Sequence, residues 1–471
     1  MNFTLKQIYL VIILESYNEI MSKDRVHILG ICGTFMGGLA LLGKEQGLDV
    51  SGCDANIYPP MSDHLEELGI DIIEGYEASK LPEADYYVIG NSISRGNPAL
   101  EYLLSSKANI VSGPEWLYNS VLKDKNVIAV SGTHGKTTTT AMIAWIFEDQ
   151  GFDVGYLIAG KPKDFKKSAR KGSNDIFVIE ADEYDTAFFD KRSKFIHYKP
   201  DTLIINNIEF DHGDIFPDIT YIQREFHHLV RSLKEEASII FPTDDLNISN
   251  VLNMGCWSQL ISYGVNKQDA NSIQLNDDIK KTTYKIDAQE GQIDWEMFGE
   301  HNARNAMAAA LAVHKYGIIL KDALGSLGKF KGVSKRQDFL LNTERLILIE
   351  DFAHHPTAIK STLEGIRKNY PDNRLLVAIE LRSNTMKSGL HDERLIEATA
   401  EADMVFWKSE NLEQAKGLAN KNLSKSDYIS NVDDFVDNFD SISTVGDILL
   451  VMSNGNFDNL SNKIIKRIKN D

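Results

Sequence analysis

Four apolar residues, Val127-Ile128-Ala129-Val130, run directly into Ser131-Gly132-Thr133-His134-Gly135-Lys136-Thr137-Thr138, and that turn opens the amphipathic stretch Ala141–Phe147. A short apolar run bounded by glycines and followed by a periodic segment predicts strand, tight turn and helix in succession. Gly132 and Gly135 let backbone N–H groups crowd around phosphate oxygens, and the start of the helix adds a partial positive charge. Lys136 can reach terminal phosphates, and the Thr137 hydroxyl can ligate Mg²⁺. The usual spacing, Gly-x-x-x-x-Gly-Lys-[Ser/Thr], would put a glycine where Val130 stands. A bare Gly-Lys-Thr is also an ordinary helix start, so the motif gains its meaning from what surrounds it. In that context Gly132 through Thr138 form a triphosphate-binding loop.

The chain has 471 residues, enough for about three domains of roughly 150 residues each. With 43% hydrophobic and 25% charged residues it has the composition of a globular protein. A net charge of −18 argues against a general nucleic-acid binder. Cys32, Cys53 and Cys256 are scattered without metal-ligand spacing, which suits a reducing compartment. The apolar run Ile8–Leu14 is too short to span a bilayer, and no small-residue cleavage site follows it. Residues 1–22 therefore read as an extension, an extra helix or an upstream start with Met21 as the true one. The expected location is the cytoplasm, with no stable membrane insertion.

The first domain, residues 23–124, opens on the strand Val26–Gly30. The glycine loop Gly30-Ile31-Cys32-Gly33-Thr34-Phe35-Met36-Gly37-Gly38 follows, then a helical pattern through Leu39, Leu42 and Leu48. A second strand, Val50–Asp54, ends on an acid at the distance at which a Rossmann unit meets a ribose. The spacing Gly-x-x-Gly-x-x-x-Gly is not that of a dinucleotide fingerprint, so a dehydrogenase reading is weak. Residues 125–336 form a second α/β domain with apolar strands Ile176–Glu180, Thr202–Asn206 and Ser238–Pro242. Alternation in Thr283–Asp287 suggests an antiparallel insertion. Residues 337–471 alternate again, with strands at Leu346–Glu350, Leu375–Ile379, Met404–Phe406 and Asp447–Met452.

In open α/β sheets, ligand sites gather at the carboxyl ends of the strands. Glu180-Ala181-Asp182-Glu183-Tyr184-Asp185 ends one strand, and its oxygens suit hard Mg²⁺. Asn206-Asn207-Ile208-Glu209-Phe210-Asp211-His212 ends the next, and His212 could be a ligand, a base or a surface group. Thr137, Glu180 and His212 are the expected metal ligands. Asn302 and Asn305 share one face of an alanine-rich helix and could meet an adenine edge, although Asn302 could as well be a helix cap. Arg336 falls at a domain junction, where a guanidinium could clamp a γ-phosphate. Asp351 follows a strand and would face the same cleft, or stabilise a turn with Pro356.

Gly132–Thr138, Glu180–Glu183, Asn207–His212, His301–Asn305 and Asp351–Pro356 occur in the order found in the Mur ligases, which this chain resembles from about Val26 to its C-terminus. The resemblance implies an α/β, three-domain Mur ligase architecture: a Rossmann-like UDP-sugar domain, a P-loop ATPase domain and a Rossmann-like acceptor domain. It implies ATP and Mg²⁺, with UDP-N-acetylmuramate and a peptide as substrates, and a monomer or weak homodimer. Gly30, Gly33, Thr34, Gly37 and Asp54 would hold the UDP-sugar. Lys136, His212 and Arg336 would be catalytic, and Asn302, Asn305 and Asp351 would seat the nucleotide. Glu180–Phe195, Asn206–Phe216 and Arg382–Lys387 look closer to the branch that reattaches the salvaged tripeptide L-alanyl-γ-D-glutamyl-meso-diaminopimelate than to the L-alanine-adding branch. Arg382, Asn384 and Lys387 would then meet the peptide.

One departure stands out. Several Mur ligases carry a carbamylated lysine beyond the Asp-His pair, whereas Asp211–Leu233 holds only Arg224 and Arg231 as long cations. Either this chain manages without it, or Glu225 or a neighbour substitutes.

Overall fold

The computed structural model describes residues 24–57, 61–211, 216–276, 282–295, 297–421 and 426–470. The expected N-terminal extension and His212 lie outside them. The chain divides into two compact units. One is the chain through Lys123 with Ala169–Lys171 and Tyr184–Arg192. The other holds Asp124–Ser168, Gly172–Glu183 and Ser193–Asp471.

The first unit is built on five parallel strands: β1 (Arg25–Leu29), β2 (Asp49–Asp54), β3 (Asp71–Glu74), β4 (Tyr86–Ile89) and β5 (Ile110–Ser112). They lie in the order β3-β2-β1-β4-β5, so the sheet reverses direction of growth at β1, where a ligand crevice is expected. The glycine loop leaves β1 there and enters α1 (Thr34–Glu45). The helical pattern expected through Leu48 stops short. Gly47 turns at φ +83°, and Leu48 donates back to the Gly43 carbonyl, the manner in which a glycine ends a helix. Asp54, expected to meet a ribose, is bonded to the loop beside it. Its carboxylate accepts from the Cys32 N–H at 3.0 Å, the Asn56 N–H at 3.0 Å and the Tyr76 hydroxyl at 3.4 Å. It clamps the glycine loop to β2.

The second unit carries two sheets. The first contains β6 (Asn126–Ser131), β7 (Gly155–Leu157), β8 (Ile176–Glu180), β9 (Thr202–Ile205), β10 (Ser238–Pro242), β11 (Gln259–Val265), β12 (Asn271–Gln274), β13 (Thr283–Ile286) and β14 (Gln289–Gln292). They are ordered β14-β13-β12-β11-β10-β9-β6-β8-β7. β6 lies between β8 and β9 and is parallel to both, so the carboxyl ends of all three strands emerge side by side. The expected antiparallel insertion is β12-β13-β14. α2 (Lys136–Asp149) and α3 (Glu300–His314) pack against each other in the core over this sheet, where Met142, Ile143, Ile146, Ala306, Met307 and Ala310 belong to one apolar cluster. The alanines of α3 are small enough to let two helices approach closely.

The second sheet runs β15 (Asp338–Asn342), β16 (Leu346–Asp351), β17 (Leu375–Glu380), β18 (Met404–Lys408), β19 (Ser426–Tyr428) and β20 (Asp447–Met452). Their order is β15-β16-β20-β17-β18-β19, parallel except for β15. Successive strand side chains alternate between faces. Ile349, Val377 and Leu450 meet α4 (Pro356–Asn369) in one apolar cluster, while Leu348, Leu376 and Leu449 meet Phe439, Leu460 and Ile464 in another.

Candidate active site

The turn after β6 explains both of its glycines. Gly132 sits at φ +126° and Gly135 at φ +82°, conformations that side chains rarely adopt. A Cβ on Gly135 would lie 2.5 Å from Asn305 Oδ1 and 2.9 Å from Asn206 Nδ2. The loop is tied to the end of β9 by Thr133 N–H donating to the Asn207 carbonyl (3.1 Å) and His134 N–H donating to Asn207 Oδ1 (2.8 Å). Val130, which replaces the first glycine of the usual spacing, is a fully buried strand residue, so the turn simply begins two residues later. Gly135→Ala combines a left-handed backbone strain of about 1–2 kcal/mol with that collision. It is expected to weaken nucleoside-triphosphate binding at least about tenfold in equilibrium titration. Unchanged affinity would mean that phosphate does not sit against this turn.

Lys136 opens α2 and curls back into the loop. Its Nζ donates to the Gly132 carbonyl (2.7 Å) and to Glu183 Oε2 (2.9 Å), with Asp182 Oδ1 at 3.9 Å. Burial works to discharge the ammonium, but Glu183 and Asp182 outweigh it and raise its pKa. Lys194 is buried beside Asp182 at 3.2 Å. Thr137 Oγ1 donates to Glu180 Oε2 at 3.0 Å, and the Ala159 N–H donates to the other Glu180 oxygen. Burial pushes the Glu180 carboxyl above its ordinary value. A hydroxyl and a buried carboxylate side by side are hard oxygen donors, and a divalent cation there would compensate the buried charge, so Thr137 and Glu180 fit Mg²⁺. Glu225, weighed as a substitute for the missing lysine, accepts from Ser193 Oγ at 3.0 Å.

The opposite wall comes from α3 and the junction before β15. Asn302 and Asn305 are buried. The Asn302 amide donates to the Phe298 carbonyl (2.9 Å) and to Gln337 Oε1 (3.0 Å), with Asn305 Nδ2 at 3.5 Å from Asn302 Oδ1. Arg336 lies over the Phe352 ring, 4.3 Å from its centroid. Burial depresses its pKa against the opposing pull of Asp351 and Glu180. Its two neighbours, Lys335 (φ 60°) and Gln337 (φ 48°), are both left-handed, so strained backbone presents this guanidinium. Asp351 accepts from the Gln337 N–H and the Ala353 N–H, each at 2.8 Å.

These groups converge on a cavity of about 690 Å³ lined by Thr133–Thr138, Asn206–Glu209, Asn302, Asn305, Arg336, Gln337, Asp351, His354 and His355. That volume is in the range of small-molecule sites. The acceptor candidates do not line it. Arg382 and Asn384 are exposed, and Lys387, in the short helix α5 (Asn384–Lys387), is paired with Glu410 at 2.8 Å. Gln337 and the Lys136–Glu183 pairing escaped sequence reasoning. A polar residue beside Arg336 and an acid three residues past an apolar strand end were the only signals.

The chain matches the Mur ligase family catalytic domain over residues 25–123, the Mur ligase middle domain over 130–313 and the Mur ligase glutamate ligase domain over 335–455. A UDP-N-acetylmuramate–L-alanyl-γ-D-glutamyl-meso-2,6-diaminoheptandioate ligase of Escherichia coli is 44% identical over 94% of this chain and 97% of its own length. A UDP-N-acetylmuramate–L-alanine ligase of Clostridium acetobutylicum is 31% identical over 93% of this chain and 96% of its own. The crystal structure of a murein peptide ligase from Psychrobacter arcticus superposes with a TM-score of 0.73 at 39% identity, covering 95% of this chain and 99% of that one. The chain belongs to the Mur ligase family.

Proposed function

We propose that this Mur ligase joins the tripeptide L-alanyl-γ-D-glutamyl-meso-diaminopimelate to UDP-N-acetylmuramic acid with hydrolysis of ATP to ADP. One observation carries the choice of acceptor: likeness to a tripeptide-adding relative is 44% over 94% of the chain, against 31% for an alanine-adding one. The family chemistry is ATP-dependent amide formation. ATP phosphorylates the sugar's lactyl carboxylate, the peptide amine attacks the acyl phosphate, and phosphate leaves. Such a reaction asks mainly for charge neutralisation and positioning. The loop N–H groups from Gly132 to Lys136 would cradle phosphates, and Lys136 would leave Glu183 to neutralise the β/γ oxygens. Thr137 and Glu180 would hold Mg²⁺, which when bound draws charge from the triphosphate. Arg336, stacked on Phe352 with its charge intact, would face the γ-phosphate, while Asn302 and Asn305 would border the base. Gly30, Gly33, Thr34 and Gly37 would bind the UDP-sugar, with Asp54 shaping their loop rather than touching ribose. Arg382, Asn384 and Lys387 remain the peptide candidates, Lys387 exchanging Glu410 for a substrate carboxylate. A reaction that consumes ATP and a UDP-sugar belongs in the cytoplasm, and no described helix is long and apolar enough to cross a membrane.

Phosphate release from ATP, UDP-N-acetylmuramate and Mg²⁺ tests the acceptor. With tripeptide, kcat/KM is expected to exceed that with L-alanine by about 100-fold, the scale of discrimination that a pocket built for many contacts achieves. Equal or faster release with L-alanine would assign the chain to the alanine-adding branch instead.

A further inference from the structure

Beside the phosphate loop, three side chains from three separate stretches of chain point their donor atoms at one another. His134 Nε2 and His355 Nδ1 are 3.2 Å apart, and His355 Nδ1 is 3.6 Å from Glu209 Oε2. All three donor atoms lie within 4.8 Å of one another. None belongs to the Thr137–Glu180 pair. We propose that His134, Glu209 and His355 form a binding site for a borderline-soft divalent cation of the Zn²⁺ or Co²⁺ class, distinct from the nucleotide's Mg²⁺ and independent of which acceptor the enzyme uses.

The distances separate this reading from a plain hydrogen bond. Ligands about 2.0–2.1 Å from a tetrahedral metal stand ~3.4 Å from each other. The separations of 3.2 and 3.6 Å bracket that edge. A 3.6 Å approach is too long for an N–H···O hydrogen bond, so a hydrogen-bonded histidine pair would leave the nearness of Glu209 unexplained. Two imidazoles and one carboxylate with an open fourth position are also the donor set that such cations prefer over Mg²⁺.

The ligands are held from behind. His134 is fixed by its N–H donating to Asn207 Oδ1 (2.8 Å), and the Glu209 N–H donates to Thr133 Oγ1 (2.9 Å), so the loop after β6 and the segment after β9 are tied together at both ligands. Thr357 Oγ1 donates to Glu209 Oε2 at 2.6 Å, an outer-shell bond of the kind that orients ligating carboxylates. His355, 1% exposed, stands at the N-cap position of α4 and brings the third donor from the last domain. Burial pushes the Glu209 carboxyl up and both imidazoles down, so the rings offer lone pairs at neutral pH and a cation would relieve the buried carboxylate. A bound ion would tie the phosphate loop to the first turn of α4.

The full-length, nucleotide-free protein, stripped with chelator and titrated with Co²⁺, tests the site. One equivalent is expected to give the visible absorption of tetrahedral cobalt, with Zn²⁺ displacing it stoichiometrically. Glu180→Gln should leave that spectrum intact, whereas Glu209→Gln and His355→Gln should each weaken binding at least about tenfold. His355→Cys keeps a ligand, and should retain the ion with a new sulfur-to-cobalt charge-transfer band even if His355→Gln folds poorly. No stoichiometric cobalt spectrum in the parent, or a spectrum lost with Glu180→Gln and untouched by Glu209→Gln, would overturn the site. Neither result bears on the ligase reading, which the phosphate-release assay decides.

Discussion

Lys136→Ala is expected to lower ATP-dependent phosphate release by at least about 10³-fold, the scale of removing a positioned charge from a developing phosphoryl transition state. UDP-N-acetylmuramate binding, proposed for the first unit, should persist in calorimetric titration. Retained turnover would show that the loop after β6 is not the reaction site. The substitution has a second consequence, because Lys136 is also the counter-ion of Glu183, whose side chain is 4% exposed. Breaking a buried pair by removing one partner costs on the order of 3–5 kcal/mol, less where the abandoned acid takes up a proton. Lys136→Ala should therefore unfold at lower denaturant as well as lose turnover. Adding Glu183→Gln should restore most of the stability and none of the activity. A double variant that regains phosphate release would reduce Lys136 to a structural counter-ion.

That dual role illustrates what was legible in the sequence and what was not. A strand, two glycines and a helix start are encoded locally, so Gly132–Thr138 could be read from neighbours alone, and the structure gives both glycines positive φ. The adjacency of Glu180 and Thr137 was within reach too, because parallel strands deliver their carboxyl ends to one edge. Which acid meets Lys136 depends on how the chain turns after β8, and nothing local distinguishes Asp182 from Glu183. Asp54 shows a related ambiguity: an acid at the end of β2 can reach a ribose or the loop N–H groups beside it, and here it accepts from the Cys32 N–H. The meeting of Thr357 with Glu209 spans 148 residues and needs the last domain in place before any spacing argument applies.

Stability should fall steeply as pH drops from about 6.5, well before the depressed carboxylates titrate. His27 in the first unit and His301 in the second are held neutral, each with a pKa pushed down to about 4, by burial in both cases and additionally by Arg336 for His301. Unfolded, each would titrate near 6.5. Between those values the unfolded chain binds more protons than the folded one, so stability rises with pH across the window and is lost on acidification. Each histidine is expected to remove ~1.4 kcal/mol per pH unit from the stability of the unit that holds it. Depressed carboxylates such as Glu101, at about 2, give up their contribution only below the ordinary carboxylate range, so the two effects separate. Urea midpoints measured from pH 7.5 to 5.0, in chelator, should show the histidine slope. His27→Asn should flatten it for the first unit and His301→Asn for the second, whatever either does to stability at pH 7.5. A profile flat down to pH 5 would mean that both rings gain water or an acceptor on protonation.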